Sequence, residues 1–445
     1  MPLLLAAGSN SHGQLLVGVG NVDDRHLHAR CIFSPAPTQV SRVVQMASGA
    51  THTLVMIQDG DRTGLYAAGS DAIGQRPSRV SEPIWTPSSQ ANHVTIFVEI
   101  FWRDLLPSVI SRSGADDPAQ FELNDIAATW ETSYLLLGSP STSIILSFGN
   151  NDLGELGLGD DIQAIPRSVS PINLVDLNDL PPFVTIQSLH TGTQHILALL
   201  SDGGILGRGA ARKGQLGPSH ANGLPMGRDH SIILLNSLHE GHPQLVLLGS
   251  NSKGQLDVPA DLGPAHVNLP SLNDSITMVS VDAAVDSVLA AGTASFFLER
   301  SMTGQLLFAC GSNAYGQLGI GLASKTQGRV QLPADRQVLN LVCGSKHVVA
   351  LVGGAFPDLP AWVCVWGWNE HGNLGTWEDD GLGVQPVLVN GFTPSLQWFG
   401  DYEVDETGEE VDIAENGNQP EGQPRRVLTP KRVFAGNGTS CIFFN

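Results

Sequence analysis

The chain has 445 residues, 42% of them hydrophobic and only 15% charged, with a formal net charge of −20. Such an acidic field repels a phosphate backbone, and no Lys/Arg stripe offsets it, which argues against broad nucleic-acid binding. Fifty glycines and 27 prolines leave little room for long helices, and five cysteines without a CxxC pair read as free, mostly buried thiols in a reducing compartment.

The first predicted element is an apolar strand, Leu3 to Ala7, entering the glycine motif GSNSHGQL (Gly8, Gly13). The run is too short and lacks the basic start of a secretory leader. No stretch of about 18 apolar residues follows anywhere, so no membrane span is expected. His26 and His28 lie near Cys31 but lack a second cysteine, so no metal site is assigned there. Next comes a small-residue turn, Gly49-Ala50-Thr51-His52, before the strand TLVMI, a hairpin signal at Asp59-Gly60, a strand Leu65 to Ala68, and a second glycine motif, GSDAIGQR (Gly69, Gly74). Here Gln75 is followed by Arg76 where the other QL copies have leucine. The stretch 76–124 interrupts the pattern. It holds Trp85, Trp102 and the strand-like Val94 to Phe101, and reads as a loop-borne extension.

The same two signals then alternate to the end. Trp130 to Ser133 precedes YLLL and leads to GNNDLGEL (Gly149, Gly154). Gly192 to His195 precedes ILALL, with Asp202-Gly203 as its hairpin, and leads to GAARKGQL (Gly209, Gly214). A short spacer, Gly217 to Gly227, predicts a minimal blade before His230 and SIILL, which leads to GSNSKGQL (Gly249, Gly254). Gly292 to Ser295 precedes FFLE and GSNAYGQL (Gly311, Gly316). Gly344 to His347 precedes VVALV and GWNEHGNL (Gly367, Gly372). A last insertion, 376–432, contains Asp401 to Glu421, which carries nine acids and no base. That segment cannot bury enough surface to offset its ordering entropy, so disorder is expected over 401–421. Gly436 to Thr439 then precedes SCIFF.

Seven copies of each signal in strict alternation predict an all-β protein of radially repeated blades. Strands this apolar suit burial on both faces, between neighbouring blades. The repeat glycines permit positive φ where the chain leaves a strand, and the leucine after them can pack between blades. Neither end holds a complete unit. Pairing Leu3–Ala7 with Cys441–Phe444 would complete a seventh blade and close the ring, removing exposed sheet edges.

The four turn histidines, His52, His195, His230 and His347, occupy one repeated position in different blades. That spacing fits a repeated packing or hydrogen-bond role and not the convergence a metal needs, so no metal and no cofactor are assigned. No phosphate loop, nucleophile elbow or other catalytic constellation is present, and no enzyme is expected. Acid pairs such as Asp160-Asp161 and Asp379-Asp380 read as solvated loops. The most distinctive text is Cys364 to Gly375, CVWGWNEHGNLG. Trp366 reads as blade core. Trp368, Glu370 and His371, with Trp377 just beyond, are the candidate partner-binding residues, since aromatics with adaptable polar neighbours are favoured at protein interfaces.

These motifs resemble the RCC1 repeat family, whose members form seven-bladed β-propellers. The resemblance spans essentially the whole chain and is densest in CGSNAYGQLGIG (Cys310 to Gly321) and GNNDLGELGLGD (Gly149 to Asp160). CVWGWNEHGN, with the later Pro430-Lys431-Arg432-Val433-Phe434-Ala435-Gly436, is similar to the ending of the fungal α-tubulin-suppressor subfamily. The two long insertions, Asn369 and Leu374 depart from that pattern. The subfamily resemblance implies a heterodimer with a small CSL-type zinc protein. That pair serves diphthamide formation on elongation factor 2 and Elongator-dependent modification of tRNA wobble uridines. It implies a non-catalytic scaffold in the cytoplasm, with the nucleus open, and no homo-oligomer. Two alternatives stand: a guanine nucleotide exchange factor for a small GTPase, and a substrate-recognition module of a ubiquitin ligase. A plant-type UV sensor is disfavoured, because no Gly-Trp-Arg-His pattern repeats.

Overall fold

The structure is a computed structural model that describes residues 3–15, 26–31, 33–34, 36, 40–76, 93–106, 117–140, 142–158, 173–175, 177, 180, 183–216, 229–235, 243–266, 276–301, 304–321, 325–332, 336–354, 361–374, 402–404 and 426–444. These residues are almost entirely strand, with three single-turn 3₁₀ helices among them. Seven sheets of three to five strands follow one another along the chain. Blade 1 joins the two ends of the chain: Leu3–Gly8 pairs antiparallel with Thr439–Phe444, in register from Leu3 opposite Phe444 to Gly8 opposite Thr439. Pro430–Ala435 and His26–Arg30 flank this pair.

Blades 2 to 7 are centred on residues 40–100, 122–174, 186–209, 230–281, 285–329 and 336–367. In each, the strand that follows the small-residue turn pairs antiparallel with the strand that ends at the first repeat glycine. His52 opposes Gly69, Thr132 opposes Gly149, His195 opposes Gly209, His230 opposes Gly249, Ala294 opposes Gly311 and His347 opposes Gly367. The turns and the glycine loops therefore share one face of the molecule.

The core is divided among the contacts between blades. Seven hydrophobic clusters each join two consecutive blades. One, for example, packs Leu54, Met56 and Leu65 of blade 2 on Ile126, Leu135 and Phe148 of blade 3. Another packs Phe296 and Leu307 of blade 6 on Val348 and Trp366 of blade 7. Blade 7 packs on blade 1 through Val349, Val363, Leu5 and Phe444, and blade 1 packs on blade 2 through Leu4, Phe443, Val55 and Tyr66. A strand sandwiched this way must be apolar on both faces, which is why LVMI, YLLL, ILALL and VVALV read as continuous runs. Trp366 is 2% exposed and belongs to this core, as its sequence position predicts.

Two expectations change. The strand-like part of 76–124 is not a free extension: His93–Ile100 pairs with Arg62–Ser70 and becomes a further strand of blade 2, and Trp102 behind it is buried against that blade. Alternating apolar residues in HVTIFVEI make it a blade strand wherever an outer edge is open. Within the acidic segment, Tyr402–Val404 pairs with Arg426–Leu428 instead of lacking structure. Tyr402, Val404 and Val427 favour an extended backbone enough to make that short ladder. The remainder of 401–421, Trp377, Asp160-Asp161, Asp379-Asp380 and the 217–227 spacer lie outside the described residues.

Candidate interaction face

The glycine loops owe their rigidity to their own side chains. The asparagine or aspartate two residues after the first glycine accepts, through Oδ1, the backbone N–H five residues on. The pairs are Asn10 with Leu15 (2.8 Å), Asn151 with Leu156 (2.9 Å), Asn251 with Leu256 (2.8 Å), Asn313 with Leu318 (3.1 Å) and Asn369 with Leu374 (2.8 Å). The glutamine after the second glycine folds back and accepts the N–H two residues before it, as Gln14, Gln215, Gln255 and Gln317 do. Each loop thus satisfies its own donors and presents a fixed surface.

The first glycine of each motif is fixed by its neighbours. At Gly311, φ is +119°, and an added Cβ would lie 2.3 Å from the Thr293 carbonyl oxygen that accepts the Ser312 N–H at 2.9 Å. The same carbonyl position approaches the first glycine in all seven motifs.

The loops also tie blades together. The residue after the turn is a serine in several blades, and its hydroxyl donates to the carbonyl of the preceding blade's Gln or Asn. Ser133 bonds Gln75 O (2.6 Å), Ser231 bonds Gln215 O (2.8 Å), Ser295 bonds Gln255 O (2.6 Å) and Ser440 bonds Asn373 O (2.6 Å). Trp366 uses its indole N–H on Gln317 O at 3.0 Å. Sequence reasoning missed this clamp, although Ser at the second position of an otherwise apolar strand is a visible signal.

The turn histidines lie in the core, and three of them reach across to the next blade. All four are fully buried. His230 Nε2 lies 3.0 Å from Ser295 Oγ, His347 Nε2 bonds the Thr439 carbonyl at 3.2 Å, and His195 Nε2 lies 3.5 Å from Ser231 Oγ, each reaching the next blade. The small residue three positions earlier makes room: a Cβ on Gly344 would meet the His347 ring at 2.1 Å. Burial holds the imidazoles neutral, lowering His52 and His195 to about 3 and His230 and His347 to about 4. No group of three or more potential metal ligands occurs among the described residues.

Blade 2 departs from the pattern in a compensated way. Asp71 stands where other motifs have asparagine and still accepts the N–H of Arg76 at 3.0 Å. Arg76 stands in the leucine place, and its guanidinium meets the Asp71 carboxylate at 3.5 Å. Burial pushes Arg76 down and Asp71 up from their ordinary values.

Of the predicted partner-binding residues, the structure brings three together. Trp368 is half-buried at the start of the blade 7 loop, His371 crosses it edge-on at 5.0 Å between ring centroids, and Glu370 is exposed beside them. Two unpredicted residues complete the cluster. Tyr315, from the blade 6 loop, lies 6.1 Å from Trp368, and the Lys346 ammonium sits 4.7 Å from both the Tyr315 and Trp368 rings. At the centre of the same face, the small-residue turns line a cavity of about 220 Å³. Its walls include Ala47, Ala127, Thr191, Gly292, Ser345 and Gly436. Trp130, 44% exposed, stands at its rim.

With this geometry in view, residues 306–351 match the regulator of chromosome condensation (RCC1) repeat. The fold of Prp20p from Saccharomyces cerevisiae superposes with a TM-score of 0.64 at 17% identity, covering 100% of this chain and 92% of that one. The fold is that of an RCC1-like β-propeller. An RCC1 repeat-containing protein of Schizosaccharomyces pombe is 24% identical, over 83% of this chain and 89% of that protein. The secretion-regulating guanine nucleotide exchange factor of Bos taurus is also 24% identical, over 89% and 79%. The aromatic cluster of this propeller lies where the loops of blades 6 and 7 meet.

Proposed function

We propose that this propeller is a non-catalytic binding scaffold. Its partner is a small CSL-type zinc protein, and the pair supports diphthamide formation on elongation factor 2 and Elongator-dependent tRNA wobble-uridine modification. The observation that carries the binding role is the cluster of Trp368, His371, Tyr315 and Lys346 with Glu370 at its edge, on a face whose loops are stapled by their own side chains. Pre-ordered aromatic residues bind without the cost of immobilising them. The resemblance of CVWGWNEHGN supplies the identity of the partner. Redox and metal chemistry would then belong to that partner. Five reduced cysteines suit the cytoplasm, the proposed location.

Calorimetry with the purified zinc protein tests the reading. Tight one-to-one binding is expected, weakened at least tenfold by Trp368→Ala with Glu370→Ala in a variant whose circular dichroism is unchanged. Unaltered affinity in that folded variant would discard the site. A second reading, exchange on a small GTPase, is favoured by the likeness to the secretion-regulating exchange factor. It predicts faster nucleotide release from the GTPase and silence toward the zinc protein.

A further inference from the structure

The net charge of −20 is unevenly placed on the loop face. Blade 3 presents Glu131 and Asp152 there, with Asn150 bonded to both. Blades 4 and 5 present Arg212, Lys213 and Lys253, all exposed on their glycine loops. Blade 6 follows with the uncharged loop Asn313-Ala314-Tyr315, and blade 7 with Lys346. Among the described residues, acids on this arc are fewer: Asp257 is hydrogen-bonded to Asn251, and Asp229 and Glu370 also lie there. The blades are consecutive in space, because Ser231 clamps the blade 4 loop to blade 5, Ser295 clamps the blade 5 loop to blade 6, and Trp366 clamps the blade 6 loop to blade 7.

None of Arg212, Lys213, Lys253 and Lys346 forms an ion pair among the described residues. Lys346 is the most telling. It lies on the two-residue turn closed by the Gly344 N–H to His347 O bond, half-buried, with its ammonium against both the Tyr315 and Trp368 rings. Ring faces stabilise an ammonium but accept none of its three N–H donors in the way an oxygen does. A partly desolvated cation with no oxygen partner among the described residues, in a chain with twenty surplus negative charges, is the reverse of ordinary surface pairing.

We propose that the loop face of blades 4 to 7 docks an acidic protein segment, one of whose carboxylates pairs with Lys346 beside Tyr315 and Trp368. This deepens the partner-binding reading above and rests on it. A short acidic segment fits better than a nucleic acid. The cationic arc is bounded by Glu131 and Asp152 on blade 3, and a longer phosphate backbone would run onto those carboxylates. The exposed cations of blades 4 and 5 lie farther out and steer the partner's approach through long-range attraction.

The test is fluorescence anisotropy of a labelled octaglutamate peptide at low salt, with an octalysine peptide and an octathymidylate strand as controls. Octaglutamate is expected to bind, to weaken about tenfold with Lys346→Gln and about tenfold with Arg212→Gln/Lys213→Gln/Lys253→Gln, and to weaken further as salt is raised. No binding, no response to Lys346→Gln, or tighter binding of octathymidylate than of octaglutamate would overturn the proposal. The same variants are titrated with the zinc protein. Equal affinity of wild type and Lys346→Gln for it would sink the acidic docking and leave the scaffold reading standing. Failure of the wild type to bind it would sink that reading, and the octaglutamate titration would still decide this one.

Discussion

Replacing Gly311 by alanine separates two demands that the repeat places on its glycines. A Cβ at Gly311 would lie 2.3 Å from the Thr293 carbonyl oxygen and 2.9 Å from the Ala294 Cα, both backbone atoms of a paired strand. Ordinary contact needs more than an ångström of extra room, so the strand pair must open. The backbone at φ +119° costs a side-chain-bearing residue about 1–3 kcal/mol. Loss of the Ser312 N–H bond to Thr293 O adds about 1 kcal/mol. A total of about 2–4 kcal/mol is expected for Gly311→Ala. Gly316, five residues on, has φ +72° with nothing within 4 Å of the added atom. Gly316→Ala carries only the left-handed backbone term, about 1–2 kcal/mol. Urea unfolding followed by tryptophan fluorescence reads both. Equal losses in the two variants would refute the claim that the first glycine is required by the approaching carbonyl.

Two further outcomes follow from the buried ionisable groups. Stability should fall between pH 6.5 and about 4, because His52, His195, His230 and His347 stay neutral when folded while the unfolded chain takes up protons there. Above pH 6.5 both states are neutral and the contribution is fully present; at pH 5.5 each histidine removes about 1 kcal/mol. Burial raises Asp125 and Glu155, which acts in the opposite sense, so the measurement compares the pH slope of urea stability in wild type and His195→Gln. An unchanged slope would remove His195 from the account. Separately, Asp71→Asn with Arg76→Leu should stabilise blade 2 by about 1 kcal/mol, since a buried ion pair is replaced by the apolar contact of the other motifs. Arg76→Leu alone should destabilise, by leaving the Asp71 carboxylate half-buried without its partner; a shift in thermal midpoint of the same sign in both variants would contradict this.

The architecture was readable in the sequence because its constraints are local. Gly311 and Gly316 advertise a backbone that only glycine tolerates easily, and the asparagine and glutamine between and after them complete hydrogen bonds within the same eight residues. The histidine turns were readable for a related reason: a ring that folds over the residue three positions earlier demands something small there, as at Gly344. Contacts across blades were harder. Nothing near Lys346 announces Tyr315, thirty-one residues away, because their meeting depends on how two blades are set side by side. The Ser295 clamp was similarly hidden, since a serine in FFLE's strand reads as a tolerated polar residue until the neighbouring carbonyl is seen. The pairing of Tyr402–Val404 with Arg426–Leu428 escaped composition-based reasoning because three residues of strand propensity vanish in an average over an acidic segment.

Blade 1 carries a consequence for how the chain is made. Its strands Leu3–Gly8 and Thr439–Phe444 are more than 400 residues apart along the chain, so the first is made long before the second. At about 5–20 residues per second, the early strand waits roughly 20–90 s for its mate. Throughout that interval LLLAAG offers an unfilled, apolar ladder to any other nascent chain, and every blade made in the meantime adds a further hydrophobic flank. Output of intact protein is therefore expected to depend on translation speed and holdase supply as well as on the strength of any single blade.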